Sequence, residues 1–525
     1  MPRLAFAIMP AVCLLAVLNA AAQAPVALPY TMTTIGGQSP MAATTGTQCP
    51  NLLTGMVSTD AFGDGCLAVN GIFGVGAFSG LAVDPFGNVL VNDDIKGALH
   101  LIDPNSGMMT LVAGGGTICS SKQDSSGDGC VAATGTPTAP ILDARGVGMD
   151  PYGNVLLAGY NDHFIHIICR NASPLCGSGA PSAASPVQVP IGNMGLVAGC
   201  AYSSGSSGVT GVGVDNTPGF TLPTAGFSGS PFVNAGGSSS ACSTSLGEVD
   251  QPRGVTADAY GNVYFADTTS ERWRVVLGPQ TYNGVTNPLW AILEKNPSWY
   301  DGATKFLTAG YAYTIAGAST TATTKGASCA GSGTATDSDG DGCLFTAATV
   351  FASTSDAQGV GVDAAGNMIF TDAGHGLLRV LFVSGAGAAG AAMANAIEVN
   401  NSGMNPATPQ PGFVYSLAGG GTTGGVSATP ALGNSRTALD SSTTKLTVSP
   451  QGNIFIGDKT RVLFFDINSG FIRILFTQAS ANVAAGNFCN GSSGQQSLNA
   501  YSDACPAANA EFGNSNGLSV GVDCA

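Results

Sequence analysis

Residues 254–267 read GVTADAYGNVYFAD, which is a short apolar run ending in Asp, a tight turn with Gly-Asn, and a second apolar run. Because Gly and Asn readily adopt the positive φ angles of a tight hairpin, the stretch predicts strand, turn and strand. The arrangement returns as GLAVDPFGNVLVND from Gly80, GVGMDPYGNVLLAG from Gly146, GVGVDAAGNMIFTD from Gly359 and, with Ser in place of the Asp, KLTVSPQGNIFIGD from Lys445. A motif that recurs along a chain in a fixed internal order indicates a repeat architecture.

Each copy continues into a third and a fourth predicted strand. The third alternates polar and apolar residues, as in residues 272–275 and 378–381, and the fourth ends in small residues, as in LVAG at Leu196 and TIAG at Thr314. Four antiparallel strands per repeat, repeated around a ring, predict an all-β fold of the β-propeller type. The repeat cores lie near residues 80–116, 146–199, 254–317, 359–420 and 445–477.

The motif resembles the NHL repeat, in which a Gly-Val-x-Val-Asp strand, Gly-Asn, a strand ending in Asp and an Arg-x-Arg strand follow one another. Arg272 and Arg274 match the last element, and His100 and His166 stand where its second Arg would be in their own repeats. The resemblance covers nearly all of residues 28–525 and implies a six-bladed propeller like those of secreted bacterial NHL-repeat proteins. Such a fold hosts both enzymes and binding modules, so the resemblance implies architecture more firmly than activity.

A partial sixth repeat lies at residues 517–525, where SVGVDCA matches GVGVDAA of the fourth repeat. Residues 30–37, YTMTTIGG, have the pattern of a fourth strand, so we expect residues 28–37 to complete this last blade. The blade would still lack its second and third strands, and unpaired strand edges are unfavourable. We therefore expect the last blade to be truncated at residue 525; the alternative is an open ring of five and a half blades.

Residues 1–24 have the pattern of a cleaved export signal. Arg3 precedes an apolar stretch at residues 4–18, and Ala22-Gln23-Ala24 fits the small-x-small pattern of signal peptidase sites. The alternative, an uncleaved membrane anchor, is disfavoured because a bilayer span needs roughly 20 apolar residues. The sequence therefore predicts a single propeller at residues 25–525 that is secreted, periplasmic or on the cell surface, with no membrane span after signal cleavage. The net charge of -15 argues against nucleic acid as a partner.

Pairs of cysteines recur in the linkers between repeats. An exported chain meets an oxidising compartment, so we expect disulfides rather than zinc ligands, since no Cys-x-x-Cys spacing occurs. Local pairing is the simplest connectivity, although sequence alone leaves others open. The expected pairs are Cys49–Cys66, Cys119–Cys130, Cys169–Cys176, Cys200–Cys242, Cys329–Cys343 and Cys489–Cys505. Cys524 is left over.

Three linkers carry Asp-x-x-x-Asp-Gly-Cys, and one of these copies is a candidate calcium loop. In that copy Asp337, Asp339 and Asp341 alternate with small residues, and hard cations such as Ca²⁺ prefer clustered carboxylate oxygens. An EF-hand loop would require Glu where this chain has Ala348. The alternative, which we favour, is a turn whose Asp side chain accepts backbone N–H bonds. No other cofactor is predicted.

Two classes of function fit the predicted propeller. Long loops rich in hydroxyl and amide side chains favour an extracytoplasmic binding or scaffold module for a protein or a glycan. The alternative is a metal-dependent lyase or hydrolase resembling the peptide-amidating lyase or streptogramin lyase, with His163 and His375 as metal ligands or base. The chain has only 4 histidines, and these two belong to the second and fourth repeats, so we favour the binding module.

Overall fold

The structure is a computed structural model. It describes residues 34–37, 49, 57–58, 63–73, 80–93, 97–114, 130–132, 144–177, 188–199, 217–218, 249–296, 307–317, 326–329, 333–350, 359–401, 404–419, 433–434, 439, 443–458 and 461–477. All of them belong to one compact unit, made of Thr34–Gln478 and Phe512–Ala525. A second unit, Met1–Thr33 with Ala479–Glu511, lies outside the described residues, as do the predicted export signal and the partial repeat at 517–525.

Five antiparallel sheets, which we call blades 1 to 5, follow one another along the described chain. Blade 1 contains β1 (Leu81–Val83), β2 (Val89–Asp93), β3 (Ala98–Ile102) and β4 (Met109–Gly114). Blade 2 contains β5 (Ala144–Met149), β6 (Val155–Gly159), β7 (Phe164–Ile168) and β8 (Met194–Ala198). In each blade the four main strands pair in chain order, so the prediction of an all-β propeller is confirmed.

The later blades carry short additional elements. Blade 3 contains β9 (Thr217–Pro218), β10 (Pro252–Ala257), β11 (Val263–Asp267) and β12 (Arg272–Val276), then a hairpin of β13 (Thr281–Tyr282) and β14 (Val285–Thr286), helix α1 (Pro288–Leu293) and β15 (Tyr311–Gly317). Blade 4 contains β16 (Cys343–Leu344), β17 (Val360–Val362), β18 (Met368–Asp372), β19 (Leu377–Phe382), helix α2 (Gly387–Asn400) and β20 (Phe413–Gly419). Blade 5 contains β21 (Gly433–Asn434), β22 (Thr443–Val448), β23 (Ile454–Asp458), β24 (Arg461–Asp466) and β25 (Phe471–Thr477). Short 3₁₀ helices lie at Ala68–Asn70, Phe345–Ala347 and Ala373–His375.

The number of blades differs from the six that the sequence predicted. The described residues form five blades, and the predicted fourth strand of a sixth blade is not formed at residues 34–37, which lie in no strand. The Gly37 amide instead donates to the Ala68 carbonyl, 2.9 Å away, in the linker that precedes blade 1. The other residues assigned to the sixth blade, 28–33 and 517–525, lie outside the described residues.

The repeated Asp and Asn hold the turn between the first and second strands. In blade 3, Asp258 Oδ1 accepts from the amides of Tyr260 at 2.9 Å and Asn262 at 3.0 Å, and its Oδ2 accepts from Asn262 Nδ2 at 2.6 Å. Asn262 Oδ1 then accepts from the Gly278 amide at 2.7 Å, which ties the turn to the end of the third strand. Gly261 supplies the positive φ of 80° that the turn requires.

The linker before each blade crosses the outer edge of that same blade. β9, β16 and β21 each pair with the fourth strand of the blade that follows them, and single bridges between Leu67 and Met108 and between Val131 and Asn193 do the same in blades 1 and 2. An outermost strand would otherwise present unpaired backbone groups. The linkers therefore cover the edges of their own blades.

Disulfide bonds join three of the expected cysteine pairs. Cys49–Cys66 and Cys329–Cys343 close loops in the linkers before blades 1 and 4, and Cys169–Cys176 closes the loop after β7. Cys130 is also disulfide-bonded, and its expected partner Cys119 lies outside the described residues. The expected pairs Cys200–Cys242 and Cys489–Cys505 lie wholly outside them, as does Cys524.

The first strands of neighbouring blades pack closely side by side, which explains the glycines of the motif. A Cβ on Gly146 would overlap the carbonyl oxygen of Arg253, and one on Gly148 would overlap that of Val255. In the same way, a Cβ on Gly361 would lie 2.5 Å from Val448 Cγ2. The five first strands therefore form the inner wall of the blades.

No helix among the described residues is long and apolar enough to cross a membrane.

Candidate functional site: the central cavity

The first strands surround a cavity of about 800 Å³, which we call the central cavity. Each blade contributes an equivalent run, from its first strand into the turn that follows it: residues 81–85, 147–151, 255–260, 360–364 with Gly366, and 446–451. Small-molecule sites in proteins are typically concave and of about 300–1,000 Å³. The central cavity therefore has the size of a site for a small molecule or for one unit of a larger ligand.

One end of the central cavity is lined by the turn carboxylates. Asp84, Asp150, Asp258 and Asp363 occupy equivalent positions there, and each accepts hydrogen bonds from the turn amides and from the Asn side chain four residues later. Burial raises the pKa of Asp258 to about 6 and also raises the pKa of Asp150 and Asp363. These carboxylates hold the turns in place.

Cations gather beyond the opposite end. Arg145, Arg253 and Lys445 lie one or two residues before Val147, Val255 and Leu446, where the cavity wall begins on β5, β10 and β22; we call them the cationic end. The guanidinium Cζ atoms of Arg145 and Arg253 lie 3.7 and 4.6 Å from the centroid of the Tyr160 ring. Cation–π contacts of this kind partly offset the cost of gathering like charges.

Lys445 is the least compensated of these cations. Only 8% of it is exposed, and among the residues that the structure describes its ammonium has no hydrogen-bond or ion-pair partner. Burial and the nearby Arg253 charge lower the pKa of Lys445 from 10.5 to about 7. A buried charged amine is costly unless it is paired, so an anion beside Lys445 would stabilise its charged form.

His163, one of the two candidate catalytic histidines, lies between blades 2 and 3. It follows β6 in a left-handed conformation, with a φ of 60°. Its Nδ1 accepts a hydrogen bond from the Gln251 amide at 3.2 Å and lies 3.4 Å from Asp250 Oδ1. Burial lowers the pKa of His163, although the Asp250 charge opposes this. The histidine therefore helps to position the segment that enters β10.

His375, the other candidate, belongs to blade 4 and its linker. Its Nδ1 lies 3.0 Å from Asp372 Oδ2, and its Nε2 lies 3.4 Å from Asp339 Oδ1. Burial disfavours the charged imidazole, but the carboxylates of Asp372 and Asp339 outweigh it and raise the pKa of His375. No contact joins His375 to His163 among the described residues, so the structure does not bring the two together there. Their role in catalysis stays a prediction.

The candidate calcium loop forms a turn. Asp337 Oδ1 accepts from the amides of Asp339 at 2.8 Å and Asp341 at 3.2 Å. Asp341 Oδ1 lies 2.6 Å from Arg379 Nη2, so its charge is paired. Burial and the Asp341 charge raise the pKa of Asp337 above its usual value. Within the described ranges, no group of three or more His, Cys, Asp or Glu side chains is placed to hold a metal ion, and calcium binding at Asp337, Asp339 and Asp341 stays a prediction.

The Asp of the Asp-Gly-Cys segment has a partner that sequence reasoning missed. In blade 4, Asp341 pairs with Arg379 of the third strand, β19. In blade 1, Asp64 Oδ1 lies 2.9 Å from Nδ1 of His100, which occupies the equivalent position in β3. The recurrence of an acid in the linker together with an Arg or His in the third strand is the sequence signal that could have predicted this pairing. It anchors the linker to its blade.

The cationic end was also missed. Lys445 stands where the other four copies have Gly80, Gly146, Gly254 and Gly359. A single departure from an otherwise constant glycine was the available signal. Sequence alone could not place Lys445 near Arg253, because the two belong to different repeats.

Comparison with known proteins adds no family assignment. The chain matches no protein-family model, and it has no match among curated proteins. Selenomethionine-substituted virginiamycin B lyase from Staphylococcus aureus is 8% identical over 77% of this chain and 85% of that one, with a TM-score of 0.30. Auxiliary nutrient binding proteins from Bacteroides ovatus and Bacteroides thetaiotaomicron are 12% and 13% identical, over 75% and 77% of this chain and 57% and 69% of theirs, with TM-scores of 0.31 and 0.29. All three are β-propeller proteins, and likeness at this level carries no argument about function.

Proposed function

We propose that this protein is an extracytoplasmic binding module that takes its ligand, part of a glycan or of a protein, into the central cavity. The observation that carries the proposal is the cavity itself, about 800 Å³ in volume and lined by equivalent residues of all five described blades. A propeller holds such a site rigidly, because every wall strand is hydrogen-bonded into its own sheet. Rigid walls reduce the conformational entropy that the protein itself loses when a ligand binds.

The proposal also covers the compartment in which the protein is located and the type of propeller that it forms. Disulfides persist in oxidising compartments, and the bonds at Cys49–Cys66, Cys169–Cys176 and Cys329–Cys343 support a secreted, periplasmic or cell-surface protein. We also propose that the chain is an NHL-type propeller. The repeated motif supports this part.

The proposal is tested by filling the central cavity. Thr447 is half-buried and lines the cavity, so Thr447→Trp places a large ring in it. The matched control is Thr110→Trp, at an exposed position of β4 that does not line the cavity. Both variants and the unchanged protein are titrated with a panel of neutral and acidic saccharides and short peptides, and thermal unfolding verifies that each variant folds.

We expect at least one member of the panel to bind the unchanged protein and Thr110→Trp with similar affinity. Thr447→Trp should weaken that binding by on the order of tenfold or more, because the ring occupies the space of the ligand. Binding that is equal in both Trp variants would contradict a site in the cavity. Failure of the whole panel to bind the unchanged protein would count against a binding module for these ligands.

A further inference from the structure

Lys445 breaks the motif at a position where glycine has a steric reason to occur. A Cβ on Gly80 would lie 2.6 Å from the Val147 backbone nitrogen, and one on Gly359 would lie 2.8 Å from that of Leu446. These are the first strands of the next blades, and they leave no room for a side chain. In blade 5 the same position carries a long cationic side chain instead. The fifth repeat therefore has a feature that the propeller scaffold does not require.

The charges around Lys445 make this feature unusual for the protein. The chain has 17 Lys and Arg residues against 32 Asp and Glu residues. Arg145 and Arg253 nevertheless share the Tyr160 ring, and Lys445 lies near Arg253, directly before the strand residue where the cavity wall of blade 5 begins. Arg253 is 3% exposed and acts electrostatically on Lys445. Among the described residues, no carboxylate pairs with the Lys445 ammonium. Burial and the nearby Arg253 charge both disfavour the charged form of Lys445, and an anion bound at its ammonium would offset both.

We propose that the cationic end of the central cavity binds the oxyanion of a small anionic ligand, a carboxylate or a phosphate, with Lys445 as the residue that contacts it. This inference rests on the proposed function and names the chemical class of the ligand. The rest of the ligand lies along the apolar wall that begins at Val147, Val255 and Leu446. Charge-assisted hydrogen bonds from an ammonium group to an oxyanion are stronger than neutral ones, and burial from water strengthens them further.

The test uses two probes that differ mainly in charge, glucuronate and glucose, together with inorganic phosphate as the simplest oxyanion. Calorimetric titration compares the unchanged protein with Lys445→Met, which keeps the length of the side chain without its charge, and with Lys445→Arg, which keeps the charge. The matched control is Lys295→Met, because Lys295 is exposed and its ammonium donates to the Pro411 carbonyl, away from the cavity wall. Circular dichroism verifies the fold of each variant.

The proposal predicts that glucuronate or phosphate binds the unchanged protein while glucose binds at least tenfold more weakly. Lys445→Met should lose on the order of tenfold or more of the anion affinity, whereas Lys445→Arg and Lys295→Met should largely retain it. Binding of glucuronate alone identifies a carboxylate, and binding of phosphate alone identifies a phosphate group. Both results support the anion site.

Three outcomes would overturn the proposal. They are equal affinity for glucose and glucuronate, an unchanged anion affinity in Lys445→Met, and no binding of either anion at millimolar concentration. If neutral ligands still bind and Thr447→Trp blocks them, the binding module stands and only the anionic class is wrong. The failure of this inference can therefore be told apart from the failure of the proposed function.

Discussion

Arg379 and Lys445 are both buried cations, and their surroundings differ completely. The Arg379 guanidinium lies 2.6 Å from Asp341 Oδ1 and 3.0 Å from Asp372 Oδ2, and it also donates to the carbonyls of Asp339 and Thr349. Lys445 has no such partner among the described residues. The first arrangement is typical of a structural residue, and the second is typical of a residue that binds an anionic ligand.

Removal of the Arg379 charge should destabilise the fold strongly. Arg379→Met removes the guanidinium that pairs with the buried Asp341 and Asp372, so we expect a loss of about 3–5 kcal/mol in the free energy of unfolding. Urea unfolding of both proteins measures this loss. Arg473→Met is the control, because the Arg473 side chain is 25% exposed and pairs with a 21% exposed Asp466. It should cost about 1 kcal/mol or less. Equal losses in the two variants would contradict the assigned role of Arg379.

Lys445 should make stability depend on pH. The pKa of Lys445 is lowered to about 7 in the folded protein, so between pH 7 and 10.5 the unfolded chain binds more protons at this residue and its contribution to stability rises with pH. Lys445→Met should therefore be more stable than the unchanged protein near pH 6, and this advantage should shrink by about 1 kcal/mol or more towards pH 10. Denaturant unfolding at the two pH values measures the difference, and a constant difference would show that the pKa of Lys445 is not lowered.

At the scale of single elements, the turn between first and second strands was the most predictable part of the fold. Its Asp and Asn interact over only four residues, so the local sequence pattern contains the side chains that hold the turn. The edge-covering linkers were not predicted, because their pairing with the fourth strand of the following blade joins segments that are far apart in sequence. The partners of Asp64 and Asp341 escaped prediction for the same reason.

Replacement of the turn Asn should lower the free energy of unfolding more where that Asn is more deeply buried. Asn262 is fully buried and accepts from the Gly278 amide, so Asn262→Ala leaves buried groups unsatisfied and should cost about 2–4 kcal/mol of unfolding free energy. Asn88, the equivalent residue of blade 1, is half-buried and donates to Asp84, so Asn88→Ala should cost less. Chemical unfolding of the two variants compares them. A larger loss at Asn88 would contradict the role of burial.

The disulfides should contribute to stability according to loop length. Cys329–Cys343 spans 14 residues and Cys169–Cys176 spans 7. Loop-closure entropy then predicts that double replacement by Ala costs about 3 kcal/mol at the first pair and about 0.6 kcal/mol less at the second. Thermal and urea unfolding of the two double variants provide the comparison. A clearly larger loss at the shorter loop would show that chain entropy is not the main contribution.

At the scale of the whole molecule, the repeats predicted a propeller but not its described blade number or its site. Sequence reasoning favoured long loops rich in hydroxyl and amide side chains as the binding surface and gave His163 and His375 as the catalytic alternative. It did not single out the cavity that the first strands surround. The residues of that cavity come from five repeats, and their convergence depends on how the ring of blades is arranged. No local sequence pattern shows this convergence. The replacement of the motif glycine by Lys445 was the one sequence signal near an end of the cavity.

The most direct test of the account is a crystal structure of the protein grown with glucuronate. The account predicts blades 1 to 5 as described and a ligand in the central cavity, with its carboxylate within hydrogen-bond distance of Lys445 Nζ. A ligand bound on the linkers with the cavity empty would contradict it, and so would first strands that close the cavity.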